Sequence, residues 1–142
     1  MRPDQAAGKG VPVAALRILL VEDHGDTARV MTQVLAREGH EICAAGDVAT
    51  ALELADSQPF DLMLSDLGLP DGSGMDLLRA LRGRGYLFPA IALSGYGQEQ
   101  DIRQSLAAGF ALHLTKPVNM PRLTEAVTAL VSNTARDAGQ KA

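Results

Sequence analysis

The chain has 142 residues, 46% hydrophobic and 21% charged, a composition typical of a folded domain of ordinary size and not of a disordered segment. Its formal net charge is −4 and it has no basic block, so its composition gives no support to nucleic-acid binding by this chain. The single cysteine, Cys43, excludes an internal disulfide, and the lack of a signal peptide or long apolar run predicts a soluble, cytoplasmic protein without membrane contact.

Two terminal segments differ in composition from the middle of the chain. Residues 1–16 are small, polar and interrupted by Gly and Pro, which predicts a flexible tail or linker. Residues 132–142 have a similar composition and predict a second flexible tail. We therefore expect one folded domain over residues 17–131.

Short apolar runs alternate with segments of helical spacing throughout this domain. Strands are predicted at residues 17–21, 41–44, 62–65, 90–93 and 111–115. Asp47, Ser73 and Asn119 are placed to cap the helices that follow the second, third and fifth strands. Five consecutive strand–helix units predict a parallel sheet with helices on both faces. The second and fifth strands carry more polar residues and are predicted at the edges, in the doubly wound order 2-1-3-4-5.

Polar and charged side chains end four of the predicted strands. Glu22 and Asp23 follow strand one, Asp66 follows strand three, Ser94 follows strand four and Lys116 follows strand five. In a doubly wound sheet, ligands bind at these carboxyl ends, beside the point where the strand order reverses. Each residue alone has an ordinary explanation, such as a helix cap or a solvated lysine. Their coincidence at one edge of the sheet favours a shared site.

The acidic residues at this edge predict metal-dependent chemistry. Two carboxylates about 4 Å apart repel by roughly 4 kcal/mol at an effective dielectric near 20, and a hard divalent cation such as Mg²⁺ removes that cost. A carboxylate beside Mg²⁺, with a lysine and a hydroxyl nearby, suits phosphoryl transfer to Asp66. In the glycine-rich loop of LSDLGLPDGSG, residues 64–74, Gly68 can offer its carbonyl oxygen to the metal with no side chain in the way.

Four segments of the sequence resemble the signature segments of a known family: ILLVEDH, LMLSDLGLPDGSGMDLL, IALSGYG and HLTKPV, in that order. They make residues 16–131 similar to the receiver domain of two-component response regulators, which implies a flavodoxin-like (βα)5 fold. The resemblance implies that Asp66 accepts a phosphoryl group from a phosphohistidine of a histidine kinase or histidine phosphotransfer protein. It also implies a Mg²⁺ or Mn²⁺ site in which Asp23, Asp66 and the Gly68 carbonyl are direct ligands and Glu22 acts through water.

The same resemblance implies how phosphorylation is signalled. Ser94 matches the switch hydroxyl, and Lys116 matches the phosphate-binding lysine, which the family joins to the following proline by a cis peptide bond. Where the family often has Tyr or Phe at a second switch position, this chain has His113, which is either a switch residue or a solvent-facing histidine on an edge strand. The implied output surface comprises the fourth helix, the fifth strand and the fifth helix, and would contact a downstream protein target or a second copy of the chain.

Three other functions share parts of this pattern. A flavodoxin-type FMN binder needs a phosphate loop after the first strand, where Glu22 and Asp23 would repel phosphate. A dehalogenase-type phosphatase needs an Asp-x-Asp motif at that place, which this sequence lacks. A receiver-like docking module that is never phosphorylated is the remaining alternative.

The signalling context stays open between two possibilities. The chain is either a stand-alone response regulator or a receiver from a hybrid histidine kinase, because SDLGLPDGSGMDL and HLTKPV are similar to the receivers of such kinases. His24, next to the acidic pair, is interpreted as a first-turn helix residue and not as a metal ligand, since Mg²⁺ prefers oxygen.

Overall fold

The computed structural model describes residues 15–95 and 99–141 of the chain. The strands of the main sheet are β1 (Arg17–Val21), β2 (Glu41–Ala45), β3 (Leu62–Asp66), β4 (Ala90–Ser94) and β5 (Leu112–Thr115). The helices are α1 (Gly25–Arg37), α2 (Val48–Ser57), α3 (Gly74–Gly83), α4 (Glu99–Ala108) and α5 (Met120–Lys141). A short antiparallel hairpin, Gly68–Leu69 with Gly72–Ser73, lies between β3 and α3.

The five main strands are all parallel, in the order β2-β1-β3-β4-β5, and this confirms the predicted doubly wound fold. Three strands run one residue further than predicted, through Ala45, Asp66 and Ser94. Strand pairing continues to these positions, and it joins Asp66 to Leu93 and Ser94 to Thr115. Two of the predicted site residues therefore belong to the sheet itself, where backbone pairing fixes their position.

Each face of the sheet packs against helices, because successive residues of a strand point to opposite faces. In β1, Ile18 and Leu20 pack in the core beneath α1 and α5, whereas Leu19 and Val21 pack in the core beneath α2 and α3. The central strands β1, β3 and β4 are almost wholly buried, while β2 and β5 carry exposed residues, as predicted for edges. Burial of each large apolar side chain contributes about 1.5–3 kcal/mol to the stability of the fold. The central strands are therefore held rigidly, and so are the residues at their carboxyl ends.

Local capping sets where three of the helices begin. The side chains of Asp47, Ser73 and Asn119 each accept a hydrogen bond from a first-turn backbone N–H of α2, α3 and α5, at 2.7, 3.0 and 3.0 Å respectively. These bonds satisfy N–H groups that have no partner inside the helix. The capping predicted from the sequence is thereby confirmed.

Both ends of the domain differ in detail from the sequence-based boundaries. The side chain of Leu16 is buried in the core, and α5 continues to Lys141. Residues 132–141 include Ala, Arg, Gln and Lys, which favour helix despite the Gly and Ser that suggested a loop. The flexibility of the two tails stays a prediction. Among the helices in the described part of the chain, none is long and apolar enough to span a bilayer.

His40 joins the starts of β1 and β2 at the amino ends of the strands. The backbone N–H of Leu16 donates to its Nδ1 at 3.1 Å, and the imidazole is buried. Burial lowers the pKa of His40 below its ordinary value of 6.5. The folded protein therefore favours the neutral ring, which is also the form that can accept this hydrogen bond.

We expect the free energy of unfolding to fall as the pH drops below about 6.5, since the unfolded chain then binds a proton that the fold disfavours at His40. The stability that the neutral His40 ring contributes is fully present above that pH. It is lost as the pH falls through the lowered pKa that His40 has in the folded protein. In His40→Asn, whose amide oxygen can still accept from Leu16, this part of the pH dependence should disappear. Urea unfolding of both proteins between about pH 7.5 and 5.5 measures the difference, and equal pH dependence would contradict the prediction.

Candidate functional site

The carboxyl ends of β1, β3 and β5 bring together three charged side chains that are far apart in sequence. The Nζ atom of Lys116 lies 2.6 Å from Oε1 of Glu22 and 3.0 Å from Oδ2 of Asp66. The Glu22 side chain is 0% exposed, and those of Asp66 and Lys116 are 10% and 19% exposed. One ammonium group therefore bridges two buried carboxylates, and the predicted convergence of these residues is confirmed.

Glu22 is held at both of its carboxylate oxygens. Oε1 pairs with Lys116, while Oε2 accepts from the backbone N–H of His24 at 3.1 Å and lies 3.0 Å from Nδ1 of the same residue. Burial pushes the pKa of Glu22 upward, but hydrogen bonds from Lys116 and His24 outweigh it and hold the pKa below its ordinary value. Glu22 is thus an ionised, oriented carboxylate that faces the lysine.

The position and the charge of the Lys116 ammonium group are fixed by its two carboxylate partners. Burial alone would lower the pKa of this ammonium group, yet its hydrogen bonds to Glu22 and Asp66 raise the pKa above its ordinary value. The Lys116–Pro117 peptide bond is cis, as the family resemblance implied. The lysine is therefore a fixed positive charge directed at Asp66.

Asp66 combines burial with access to a small cavity. Its Oδ1 accepts from the backbone N–H of Gly68 at 3.3 Å, and Lys116 holds Oδ2. A cavity of about 280 Å³ lies against it, lined also by Gly68, Met75, Ser94 and Gln104. Ser94, at the end of β4, is 6% exposed and shares this cavity with Asp66. A small group that enters the cavity meets the Asp66 carboxylate and the Ser94 residue together.

The donor set at this edge fits a divalent cation. Ligand atoms of Glu22, Asp23, His24 and Asp66 all lie within 4.8 Å of one another. Two of the three carboxylates pair with Lys116, the lysine described at this edge, so the cluster has an excess of negative charge that a cation would neutralise. At Gly68, nothing lies within 4 Å of the position a Cβ would take, so its backbone is open on that side. The carboxylates of the cluster and the Gly68 carbonyl are oxygen donors of the kind that Mg²⁺ and Mn²⁺ prefer.

The ring of His24 lies within this cluster, although the residue also stands at the start of a helix, as predicted. The residue is the N-cap of α1, but its side chain makes no capping hydrogen bond. Its Nδ1 instead lies near Glu22 and 3.4 Å from Oδ1 of Asp23. The pKa of His24 is raised, first by the hydrogen bond with Glu22 and then by the charge of Asp23. Its position next to the acidic pair was the sequence signal for this contact.

Two supporting residues were missed by sequence reasoning. The hydroxyl of Ser65, on β3, donates to the carbonyl oxygen of Asp66 at 2.9 Å. The N–H of Gly74, at the start of α3, donates to the carbonyl of Leu67 at 2.9 Å, and a Cβ on Gly74 would overlap the carbonyl oxygen of Asp66. Only glycine allows α3 to start so close to β3. The glycine-rich composition of residues 64–74 was the available signal.

The loop after Asp66 is anchored at its far side. The carboxylate of Asp71 accepts from the backbone N–H groups of Val48 and Ala49 at 2.8 and 3.1 Å. These bonds lower the pKa of Asp71. Asp71 therefore attaches the loop after Asp66 to the start of α2. Its carboxylate also completes the capping of that helix.

His113 faces α4 and is half-buried, so it is not an ordinary solvent-facing histidine. Its Nδ1 lies 3.1 Å from Oγ of Ser105, which is fully buried and donates to the carbonyl of Ile102 at 2.9 Å. Because the hydroxyl proton of Ser105 is directed at Ile102, the imidazole Nδ1–H is placed to donate to Ser105. This contact joins β5 to α4.

Comparison with known proteins gives consistent results. A family model described as "Response regulator receiver domain" matches residues 18–128. The chain is 39% identical over 115 residues to the response regulator protein PilR of Pseudomonas aeruginosa, a match that covers 80% of this chain and 26% of PilR. It is 35% identical over 119 residues to the sensor histidine kinase AruS of the same species, covering 81% of this chain and 12% of AruS.

A solved structure shows the same architecture. The crystal structure of a CheY-like response regulator receiver domain protein from Methanospirillum hungatei superposes with a TM-score of 0.80 at 30% identity. The match covers 87% of this chain and 99% of that one. By contrast, the chain spans only about a quarter of the length of PilR.

Proposed function

This chain belongs to the response regulator receiver domain family, and from that premise we propose that it is the phospho-accepting part of a two-component phosphorelay. Asp66 takes a phosphoryl group from a phosphohistidine of a histidine kinase or histidine phosphotransfer protein. One observation carries the proposal: the Lys116 ammonium group lies 3.0 Å from the Asp66 carboxylate, which borders a cavity of about 280 Å³.

The chain's own residues account for the transfer chemistry. A carboxylate oxygen of Asp66 bonds to phosphorus while the P–N bond of the phosphohistidine breaks and its electron pair leaves with the imidazole nitrogen. Lys116 and the hydroxyl of Ser94 bind oxygens of the transferred group and stabilise its charge. Asp66 is held on a paired strand, so little orientation entropy is lost when the donor arrives.

Asp23, Asp66 and the Gly68 carbonyl are the groups that would hold Mg²⁺ or Mn²⁺, with Glu22 acting through water. When bound, the cation neutralises the charge of the phosphoryl oxygens that approach the carboxylates. The engagement of both Glu22 oxygens by Lys116 and His24 supports the indirect role of that residue. The exposure of Asp23 supports a direct one.

Phosphorylation of Asp66 is tested with the full chain, a small phosphodonor such as acetyl phosphate, and Mg²⁺. Intact mass spectrometry should detect the gain of one phosphoryl group, lost when Mg²⁺ is removed with a chelator. Asp66→Asn should gain none, because its amide is not a nucleophile for phosphorus. An unmodified wild-type chain that nevertheless binds Mg²⁺ would instead support a docking module that is never phosphorylated.

Phosphorylation is proposed to alter an output surface formed by α4, β5 and α5. Ser94, next to Asp66, acts as the switch hydroxyl, and His113 acts as the second switch residue. The hydrogen bond between His113 and the buried Ser105 supports this role, since it ties β5 to α4. The output surface then contacts a downstream protein target or a second copy of the chain.

Ser105→Ala tests this coupling. With the hydroxyl removed, β5 loses its hydrogen bond to α4, and we expect phosphorylation-induced NMR shift changes of residues 112–115 to fall by about half or more. Phosphorylation of Asp66 itself should change less than about twofold. Ser57→Ala is the matched control, because Ser57 also donates to a carbonyl three residues earlier, at 3.1 Å, but lies on α2. Equal shift changes in all three proteins would exclude the proposed path.

The signalling context is also a proposal. The chain acts in the cytoplasm, without membrane or nucleic-acid contacts of its own, either as a stand-alone response regulator or as a receiver of a hybrid histidine kinase. Similarity to AruS supports the second arrangement, whereas the match to PilR covers only 26% of that protein and does not support a stand-alone chain. In the second, the receiver would be part of a transferase.

A further inference from the structure

The loop that follows Asp66, residues 67–73, is attached to the start of α2 by the side chain of Asp71. The two carboxylate oxygens of Asp71 accept from the backbone N–H groups of Val48 and Ala49 at 2.8 and 3.1 Å. We propose that Asp71 is a positioning residue for phosphoryl transfer, because it holds this loop in the place from which the loop orients the Asp66 carboxylate. The inference rests on the proposed function, since it concerns the rate at which Asp66 is phosphorylated.

A short hairpin connects Asp71 to the side chain of Asp66. Its two strands, Gly68–Leu69 and Gly72–Ser73, pair antiparallel, and Asp71 lies in the turn between them. At the other end of the hairpin, the backbone N–H of Gly68 donates to Oδ1 of Asp66 at 3.3 Å. This bond is long beside the usual range of about 2.7–3.2 Å, so a small outward shift of the loop would break it. The orientation of Asp66 therefore depends on where the hairpin is held.

The start of α2 is a fixed support for the hairpin. The backbone N–H of Glu22 donates to the carbonyl of Ala45 at 2.9 Å, which joins the end of β2 to the end of β1. Asp47, two residues after Ala45, then caps α2 by accepting from the N–H of Thr50 at 2.7 Å. Asp71 therefore ties the loop after Asp66 to a helix end that is itself anchored to the central sheet.

Apolar packing of the loop cannot replace these two bonds. Leu69 is half-buried and packs against the core beneath α2 and α3, but such contacts are non-directional and leave the angle of the hairpin free. The bonds of Asp71 are charge-assisted and directional. Because Asp71 is exposed, loss of its carboxylate removes no side chain from the core. We therefore expect Asp71→Ala to fold while its loop moves more freely beside Asp66.

The test compares Asp71→Ala with Asp47→Ala in the full chain. Each variant loses one negative charge and one carboxylate that caps α2, but only Asp71 belongs to the loop after Asp66. With acetyl phosphate and saturating Mg²⁺, the initial rate of phosphoryl gain should fall about tenfold in Asp71→Ala, since displacement of a reacting group slows transfer steeply. The rate in Asp47→Ala should stay within about twofold of wild type. Asp71→Asn keeps one acceptor oxygen and should be intermediate, and urea unfolding verifies that each variant is folded.

Amide hydrogen exchange in the metal-free chain reports on the loop without any phosphoryl transfer. The N–H of Gly68 should exchange about tenfold faster in Asp71→Ala than in wild type, and at nearly the wild-type rate in Asp47→Ala. A wild-type phosphorylation rate in Asp71→Ala, or equal slowing in both alanine variants, would overturn the role of Asp71 and leave the proposed function standing. A wild-type chain that gains no phosphoryl group would overturn both.

Discussion

Replacement of Lys116 by Met is expected to slow phosphorylation of Asp66 on the order of 10²–10³-fold, the usual effect of removing one charge-stabilising donor. Met preserves much of the packing of the lysine stem but removes the ammonium group 3.0 Å from Asp66 and 2.6 Å from Glu22. The rate of mass gain with acetyl phosphate and saturating Mg²⁺ measures the effect. A rate within threefold of wild type would contradict the assigned role.

The same substitution should also reduce stability. Two buried carboxylates would lose their shared counter-charge, and we expect the free energy of unfolding at neutral pH, without Mg²⁺, to fall by roughly 2–3 kcal/mol. In the wild type, Glu22 contributes stability above its ordinary pKa of 4.5, which is lost as the pH falls through its lowered pKa. In Lys116→Met, Glu22 would lose the largest of the contributions that lower its pKa, so that pKa should be higher than in the wild type and the deficit should shrink as the pH is lowered toward about 5.

Arg79→Met is the matched control for this experiment. Arg79 pairs with Asp76 at 3.0 Å on the surface of α3, where both side chains are well exposed. An exposed pair of this kind contributes about 0–1 kcal/mol, so the control should unfold nearly as the wild type does. A similar loss of stability in both variants would mean that net charge, and not the bridging position of Lys116, sets the effect.

Gly74→Ala is expected to destabilise the fold by about 1–3 kcal/mol and to slow phosphorylation. The added methyl group would overlap the carbonyl oxygen of Asp66 and approach Oγ of Ser65 at 3.0 Å, so α3 or the end of β3 must move. Any shift of β3 displaces the acceptor carboxylate from Lys116. Urea unfolding and the initial rate of phosphoryl gain measure the two effects.

Gly83→Ala provides a control within the same helix. Nothing lies within 4 Å of a Cβ built at Gly83, and alanine favours helix over glycine by about 0.5–1 kcal/mol in a helix interior. This variant should therefore be as stable as the wild type or slightly more so, with normal phosphorylation. If both alanine variants behaved alike, the close approach of α3 to Asp66 would have no energetic consequence.

The sheet could be predicted because its strands are marked by apolar runs and its edges by polar residues. Parallel order then brings the strand ends together, which placed Glu22, Asp66 and Lys116 at one edge without knowledge of their contacts. The prediction depended on topology alone. It therefore held even where strand limits were wrong by one residue.

Contacts between side chains could not be predicted in the same way. The sequence does not reveal that Lys116 lies closer to Glu22 than to Asp66, or that the ring of His24 turns toward the acids. Each of these contacts depends on the side-chain rotamers of the residues involved and on the exact backbone path of a loop. Gly74 was missed for a related reason, since glycine also serves turns and only the packing of α3 on β3 distinguishes the two uses.

Localisation of the phosphoryl group tests the central claim most directly. After phosphorylation of the wild-type chain in Mg²⁺, borohydride reduction converts an aspartyl phosphate to homoserine, which peptide sequencing by mass spectrometry can assign to a position. The account predicts homoserine at position 66 and at no other aspartate. Homoserine at Asp23 or Asp71, or its absence despite a phosphoryl mass gain, would contradict Asp66 as the acceptor.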